Sequence, residues 1–318
     1  MQDLVFEGHP EQKLRPATVY FNARQYGLSK EDARQCSDTW ARIFDTCFLQ
    51  RVAGNFYNES NVTNINFPAE HQKGTLYVTA HFSAYTFVSI ALARHYKKDI
   101  YIVVGTPSAQ FESFLVDSLA DAGVKAIIIR SNFSQLRNIR RAIDEGHLVL
   151  SLIDVPWHRT VIPNREHEYF DLGVGKIRAS KSIFKIAERL NLVPTLVLCE
   201  PNGSDFNINY YGQLSQSECF EKLAKVVALN PGHFERFCEL HVYYKGGVQT
   251  KEVVTFVLGE HRYMAVPSEN KYWKLGQTCS KEIESKLQLN DNNHEASKII
   301  INQIEKVSKR VYDEVVYF

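Results

Sequence analysis

The middle of the chain alternates short apolar runs, rich in β-branched residues, with amphipathic stretches of helical length. The runs of strand length are Leu76–Ala80, Ile100–Val104, Ala126–Ile129, Leu148–Ile153, Thr195–Cys199 and Phe206–Tyr211. Helical spacing of apolar residues occurs near Ser83–Tyr96, Ala109–Ala122, Phe133–Glu145 and Ile177–Leu190. Strands joined by helices form a largely parallel sheet that is covered on both faces. The alternation therefore predicts an α/β protein with a mostly parallel central sheet flanked by helices.

Both ends of the chain depart from this alternation. Residues Ser29–Phe56 show helical spacing after a capping Ser29, with Asp32 three residues on, which predicts a helical lid or flank. A further helix is predicted at Ser217–Leu229, before the Gly246-Gly247 break. The rest predicts a small α+β extension, with strands Val253–Leu258, Arg262–Val266 and Lys271–Leu275 and helices Ser280–Leu287 and His294–Val316. We predict two domains, residues 1–245 and 246–318, with the boundary near Lys245–Lys251.

The composition limits the classes of partner. The 37 basic and 36 acidic residues nearly cancel, so no net field attracts nucleic acid or an anionic membrane surface. No window reaches the roughly 18 apolar residues that span a bilayer, and the N-terminus lacks a signal-peptide pattern. The six cysteines show neither a CxxC pair nor zinc spacing. We expect a soluble, cytoplasmic protein with free thiols, no metal, no integral membrane segment and no nucleic-acid partner.

His81 is the first candidate for catalysis. It follows the apolar run at Leu76–Ala80 and precedes a predicted helix for which Ser83 is a plausible cap. In a parallel sheet, the crevice beyond the carboxyl ends of the strands holds the ligand, so a histidine here faces it. An imidazole can remove a proton from an attacking hydroxyl or amine when a neighbour fixes its tautomer. We predict that His81 is a general base, with Ser83, Tyr85 and Thr86 lining the substrate site.

Asp154 is the carboxylate best placed to be that neighbour. It ends the run Leu148–Ile153 as His81 ends its own, and strand ends of a parallel sheet converge on one edge. Structural roles remain open for both residues. His81 could cap the helix or satisfy a buried backbone group, and Asp154 could be a turn residue before Pro156.

Several nearby residues could bind substrate or a partner. The loop after Asp154 supplies Trp157, His158 and Arg159, which could hold a pantetheine arm or an acyl group, although a surface loop with Trp157 docked on the core explains them equally well. Arg130 ends a predicted strand and could stabilise an oxyanion or bind phosphate; a surface salt bridge is the commoner role. A basic cluster on one predicted helix could receive an acidic carrier protein or be a solvated face: Arg137, Arg140 and Arg141.

The sequence lacks the motifs of several other well-known chemistries. The chain contains no GxSxG elbow, no GxxxxGK[ST] loop and no HExxH pair. Gly173-Val174-Gly175 lacks the third glycine and the preceding βα context of a dinucleotide-binding loop. No bound cofactor is predicted.

Three short segments together resemble a known bacterial family. They are Gly74–Phe87 with Thr79-Ala80-His81-Phe82, Ala142–Val149 running into Asp154, and Tyr169–Gly173. Their order resembles that of the lipid A biosynthesis (lauroyl/myristoyl) acyltransferases of the lysophospholipid acyltransferase superfamily, over roughly Ser29–Leu229. The resemblance implies a glycerolipid acyltransferase-like fold. It also implies acyl transfer from an acyl carrier protein or coenzyme A thioester, with His81 as general base.

The chain departs from that family in two respects. Family members place an acidic residue five positions after the histidine, where this sequence has Thr86, which cannot carry the charge that stabilises an imidazolium. Either Asp154 or Glu112 takes over, or the donor has changed, or catalysis is lost. The N-terminal membrane anchor common in the family is also not found in the sequence, which favours a soluble acceptor such as a peptide or a carrier-bound intermediate.

The segment Val253–Phe318 is not explained by that family. Its strands, with Tyr263, Tyr272 and Trp273, look faintly like the small winged-helix domains that recognise peptides in peptide-modifying pathways, and an open strand edge there could pair with a peptide. An ordinary C-terminal cap on the core is the simpler interpretation.

Two functions follow from these observations. The first is an enzyme that moves an acyl or aminoacyl group from an acyl or peptidyl carrier protein, or from coenzyme A, to a soluble acceptor in lipid or peptide biosynthesis. The second is an inactive protein of the same fold that binds a carrier protein or a peptide.

Overall fold

The computed structural model describes the chain in eleven stretches. They are residues 4–6, 15–45, 61–104, 109–130, 134–154, 167–173, 175–239, 254–258, 261–266, 271–275 and 312–317. The chain divides into two compact units. The central unit is Cys47–Glu235, and the terminal unit combines Met1–Thr46 with Arg236–Phe318.

The elements follow one another in this order. The N-terminal part contains β1 (Leu4–Phe6), α1 (Arg15–Gln25), α2 (Lys30–Trp40) and a π-helical turn at Ala41–Asp45. The first half of the central unit contains β2 (Val62–Ile65), β3 (Leu76–Thr79), α3 (Thr86–Tyr96), β4 (Ile100–Val104), α4 (Ala109–Asp121), β5 (Ala126–Arg130), α5 (Gln135–Asp144) and β6 (Leu148–Leu152). Its second half contains β7 (His167–Asp171), β8 (Lys176–Ser180), α6 (Ser182–Arg189), β9 (Thr195–Asn202), β10 (Asp205–Gln213) and α7 (Gln216–Leu229). The C-terminal strands are β11 (Val254–Leu258), β12 (His261–Val266), β13 (Lys271–Leu275) and β14 (Tyr312–Tyr317).

A seven-stranded sheet forms the core of the central unit, in the order β2-β10-β9-β3-β6-β4-β5. The strands β9, β3, β6, β4 and β5 are parallel to their neighbours in this group, β10 is antiparallel to β9, and β2 is parallel to β10. Every residue of β3 and the first five residues of β9 are buried, which requires cover on both faces of the sheet. The predicted α/β architecture with a mostly parallel sheet is therefore confirmed.

Helix α3 provides much of the apolar core on one face of this sheet. Its buried Phe87 and Ile90 share a cluster with Tyr77, Leu148 and Val197 from three neighbouring strands. Burying each large apolar side chain of this kind contributes about 1.5–3 kcal/mol relative to leaving it exposed. The burial of these side chains between helix and strands therefore stabilises the architecture that the sequence pattern predicts.

Strands β3 and β6 are direct neighbours, and the chain leaves them in opposite directions. From β3 it continues through α3 toward β4, whereas from β6 it returns past β3 to β9. A crevice beyond the carboxyl ends of such a strand pair is where open α/β sheets bind their ligands. The strand order therefore predicts a site at the carboxyl ends of β3 and β6, which we call the β3–β6 edge.

Two segments predicted to be helical contain a strand over part of their length. The window Ile177–Leu190 divides into β8 and α6, and β8 pairs with β7 in an antiparallel ribbon. Ile177 and Ala179 are buried in β8, so the window begins with a period of two and changes to helical spacing only after Ser180. The helix predicted at His294–Val316 is wrong at its end, because β14 occupies that part. Residues 294–311, and the helix at Ser280–Leu287, lie outside the described residues.

The terminal unit contains a five-stranded sheet in the order β1-β11-β12-β13-β14. The three predicted strands are present as β11, β12 and β13. However, β1 pairs with β11 and β14 pairs with β13, so both edges of the three-stranded group are occupied and neither is open for a peptide. Because β1 pairs with β11, the N-terminal residues cluster with the C-terminal ones. This division differs from the predicted one at residue 245, which itself lies outside the described residues.

Two helices begin with side-chain caps, of which the first was predicted. The Ser29 hydroxyl accepts the Asp32 backbone N–H at 3.0 Å and begins α2, as predicted. Ser215 and Glu218 form a reciprocal capping box at the start of α7. Residues 46–56 of the predicted lid or flank lie outside the described residues. Among the helices that the structure describes, none is long and apolar enough to cross a membrane.

A cluster of aromatic and titratable groups lies near the amino ends of the central strands. His71 Nδ1 and the Tyr77 hydroxyl are 3.0 Å apart, and Tyr96 packs against both rings. Burial raises the pKa of Tyr77 and Tyr96. Burial, and to a smaller extent the charge of Lys98, lowers the pKa of His71 from 6.5 to about 4.

The His71 imidazole predicts a specific loss of stability in mild acid. Between about pH 6.5 and pH 4 the unfolded chain binds a proton at this position that the folded protein does not, so the free energy of unfolding falls as the pH falls. Replacing His71 with Asn keeps a polar atom near the Nδ1 position and removes the titration. In urea unfolding at pH 4.5, 5.5 and 7, His71→Asn is expected to show a shallower pH dependence than the wild type. Equal pH dependence in the two proteins would contradict the assignment.

Candidate active site at the β3–β6 edge

The chain turns sharply between β3 and α3. Ser83 has a φ of +54°, and α3 begins only at Thr86, with Tyr85 as a cap residue that makes no side-chain capping bond. The predicted role of Ser83 as the helix cap is therefore wrong, because a left-handed residue redirects the chain two positions before the cap. A serine in this conformation costs of the order of 1 kcal/mol or more, so the surroundings must hold it there.

His81 and Asp154 come together at the carboxyl ends of β3 and β6. The strands pair in parallel with Thr79 opposite Leu152, and the Ile153 N–H continues the ladder by donating to the Thr79 carbonyl at 2.8 Å. Two residues further along each strand, the Asp154 carboxylate accepts the His81 backbone N–H at 3.0 and 3.2 Å. The same carboxylate lies 2.9 Å from His81 Nδ1. The predicted pair is thus in contact.

The contact is almost completely buried. The side chain of His81 is 8% exposed and that of Asp154 is not exposed at all. A buried carboxylate must be hydrogen-bonded to avoid a large desolvation cost, and hydrogen bonds to a charged group contribute about 1.5–3 kcal/mol each. The backbone and the ring of one histidine supply those bonds here. Asp154 is accordingly more than a turn residue before Pro156.

The arrangement determines which ring nitrogen of His81 carries the hydrogen. A carboxylate only accepts hydrogen bonds, so Nδ1 carries the hydrogen and donates to Asp154 Oδ1. Nε2 then carries the lone pair, which is the form that an imidazole needs to act as a general base. The Tyr85 ring stands edge-on to the imidazole, with the ring centroids 4.9 Å apart.

A short segment after α7 also contacts this turn, and the sequence patterns did not reveal it. The Glu235 N–H donates to the His81 carbonyl at 2.9 Å, and the Ser83 N–H donates to the His233 carbonyl at 2.5 Å. The Ser83 hydroxyl lies 3.3 Å from His233 Nδ1. The only local signal is the turn-forming Asn230-Pro231-Gly232 after a capped helix, which predicts a chain reversal but not its neighbour.

The remaining predicted site residues are distributed as follows. Thr86 is buried at the first position of α3, and Tyr85 is half-buried beside His81. Arg130 ends β5, three strand positions from β3, or about 14 Å across the sheet at the usual strand spacing. Trp157, His158 and Arg159 lie outside the described residues. Glu112 belongs to α4, and its side chain lies outside the part of the chain that the structure describes.

The basic cluster lies on α5. Arg137, Arg140 and Arg141 are all exposed, and Arg140 forms an ion pair with Asp144 at 2.8 Å. Because α5 connects the carboxyl end of β5 to the amino end of β6, Arg137 in its first turn is the member nearest the edge that carries His81.

Comparison with known proteins gives no family assignment. No protein-family model matches the chain, and no curated protein matches it.

Within the part of the chain that the structure describes, no three His, Cys, Asp or Glu side chains group as a metal site requires. The segment Tyr169–Gly173 contains the last three residues of β7 and the two that follow, and Asp171 Oδ1 accepts the Gly173 N–H at 2.8 Å.

The His81–Asp154 contact predicts a measurable change of tautomer. In Asp154→Asn, the amide oxygen is needed by the His81 backbone N–H, so the amide NH₂ faces Nδ1 and forces the ring hydrogen onto Nε2. Long-range ¹H–¹⁵N spectra of histidine-labelled protein at pH 8 are expected to show His81 protonated at Nδ1 in the wild type. They are expected to show it protonated at Nε2 in the variant. An Nδ1 hydrogen in both proteins would contradict the geometry.

Proposed function

We propose that the protein is an acyltransferase that moves an acyl or aminoacyl group from a thioester to a hydroxyl or amine of a soluble acceptor. The observation that carries the proposal is the buried His81–Asp154 pair at the carboxyl edge, where adjacent parallel strands leave in opposite directions. A glycerolipid acyltransferase-like fold for the central unit is part of the same proposal. The resemblance of the segments around His81, Asp154 and Tyr169–Gly173 to the lipid A acyltransferases supports it.

The proposed chemistry is a single displacement at the thioester carbonyl. His81 Nε2 accepts the proton of the acceptor O–H or N–H as the acceptor lone pair forms a bond to the carbonyl carbon. The carbonyl π electrons move to the oxygen, which gives a tetrahedral oxyanion. When the oxyanion re-forms the carbonyl double bond, the carbon–sulfur bond breaks and the thiolate leaves. The resulting imidazolium then gives its proton to the leaving thiolate. Throughout, Asp154 accepts from Nδ1–H and stabilises the positive ring.

Asp154 supplies the negative charge that Thr86 lacks. The related family carries its acidic residue on the helix after the histidine, and here that position is a buried threonine without charge. A carboxylate from the neighbouring strand, 2.9 Å from the ring, can perform the same electrostatic role. The substitution at Thr86 therefore gives no reason to prefer an inactive binding protein over an enzyme.

The donor is proposed to be an acyl or peptidyl carrier protein or coenzyme A. All of these end in a pantetheine arm with a phosphate at one end and the thioester at the other. Arg130 is too far across the sheet from His81 to hold the oxyanion, but its position suits the phosphate end of that arm. Exposed Arg137 and Arg141, one turn apart on α5, would then face an acidic carrier protein.

Loss of the base tests the enzyme directly. Purified protein is incubated with acyl-loaded carrier proteins or acyl-coenzyme A and candidate hydroxyl and amine acceptors, and the products are measured by mass spectrometry. His81→Ala is expected to lower the transfer rate by about 100-fold or more, the usual contribution of a general base. Transfer at the wild-type rate would exclude His81 as the base.

The matched control is a histidine of the same sheet away from the site. His147 precedes β6 at its amino end, where it contacts Glu145 at 3.5 Å and packs against Tyr101. His147→Ala is expected to transfer at the wild-type rate. If the wild type transfers no acyl group to any acceptor yet binds loaded carrier protein or a peptide, the protein is an inactive binding member of the fold.

The position of Arg130 predicts a split between the two kinetic constants. As a phosphate ligand it contributes to binding in the ground state, so Arg130→Gln is expected to raise KM for phosphate-bearing donors and leave kcat unchanged. A donor truncated to acyl-pantetheine, which has no phosphate, provides the control and is expected to show no change in KM. A fall in kcat with an unchanged KM would exclude Arg130 as the phosphate ligand.

A further inference from the structure

The turn that contains His81 is hydrogen-bonded to the segment from His233 to Glu235, which lies about 150 residues further along the chain. We propose that His233 is a positioning residue that acts through Ser83 to hold His81 against Asp154. This role rests on the proposed function, because it gives His233 a task in the same acyl transfer.

The backbone contacts form a small antiparallel bridge. Phe82 and Phe234 are its central pair, and both side chains are fully buried. On one side of the bridge the Glu235 N–H donates to the His81 carbonyl, and on the other the Ser83 N–H donates to the His233 carbonyl. The peptide groups on both sides of Phe82 therefore have partners outside their own turn.

The Ser83 side chain adds a contact that a glycine could not make. Glycine adopts a φ of +54° without a steric cost, whereas serine does not. Ser83 is fully buried, and its hydroxyl lies 3.3 Å from His233 Nδ1. A strained conformation kept by a residue with a buried polar contact indicates that the contact has a use.

The consequence for His81 is a fixed backbone orientation. The Asp154 carboxylate binds the backbone N–H and the ring Nδ1 of the same residue, so a rotation of that backbone would lengthen both bonds. The bridge to residues 233–235 holds the carbonyl of His81 and the following peptide groups. Release of Ser83 from His233 is expected to loosen this orientation, and a base displaced by 1 Å can lose about 100-fold in rate.

Four variants separate the hydroxyl–imidazole contact from its surroundings. His233→Phe keeps a ring and removes both nitrogens, whereas His233→Asn keeps a polar atom near the position of Nδ1. Ser83→Ala removes the hydroxyl and keeps the strained backbone. Ser83→Gly removes the hydroxyl and relieves the strain. If His233→Phe does not fold, as judged by amide exchange in β3 and β6, Ser83→Ala carries the test.

The spectroscopic readout is the Nδ1 proton of His81 in histidine-labelled protein. His233→Phe, Ser83→Ala and Ser83→Gly are expected to broaden or lose this resonance, while His233→Asn retains it. Where transfer is measured, the first three variants are expected to lower kcat by about 10- to 100-fold with little change in KM. Ser83→Gly is also expected to melt at a higher temperature than Ser83→Ala, although both lose the resonance.

A wild-type His81 resonance in His233→Phe and in Ser83→Gly would overturn the positioning role, whatever the transfer assay shows. An equal loss in His233→Asn and His233→Phe would overturn it as well, because the polar atom would then not matter. If the wild type transfers no acyl group, the proposed function fails and the enzymatic part of the inference fails with it. The resonance comparison still decides whether His233 positions His81.

Discussion

The candidate site depends on the parallel pairing of β3 with β6. This pairing aligns Thr79 with Leu152, and the ladder continues through the Ile153 N–H to the ends of both strands. His81 and Asp154, which are 73 residues apart in sequence, then meet at 2.9 Å. A shift of one residue in this register would turn the side chains of one strand to the opposite face and separate the pair. Apolar side chains that are buried on both faces of these two strands, among them Leu76, Val78, Leu148 and Leu150, stabilise the pairing.

Burial makes the pair both costly and useful. Removing a carboxylate and an imidazole from water is unfavourable unless their hydrogen-bonding groups are satisfied, and a charge left without its partner in such a place costs about 3–5 kcal/mol. Asp154 avoids that cost by accepting bonds from both the backbone and the ring of His81. The same exclusion of water strengthens the electrostatic support that Asp154 gives to a protonated ring.

Much of the fold was predictable because its signals are local. Strands β4 and β13 begin and end at the predicted residues, and α2 begins after the predicted Ser29 cap. The errors arose where a local pattern has two solutions. Lys176–Ser180 alternates with a period of two but is followed directly by helical spacing, and its pairing with β7 made it a strand. Serine is a residue type that often caps helices, but hydrogen bonds between residues 81–83 and residues 233–235 hold Ser83 in a left-handed turn instead.

The sequence by itself determined that the chain is α/β and that His81 and Asp154 each follow a buried strand. Periodicity and capping depend on residues within a few positions of one another, so they can be read without the fold. Only the tertiary structure decided that β6 lies beside β3, that Asp154 contacts the imidazole of His81, and that Arg130 lies three strands away. It also brought His233 to Ser83. Strand order and the docking of a distant turn follow from burial summed over the whole core, which the pattern of a single segment does not contain.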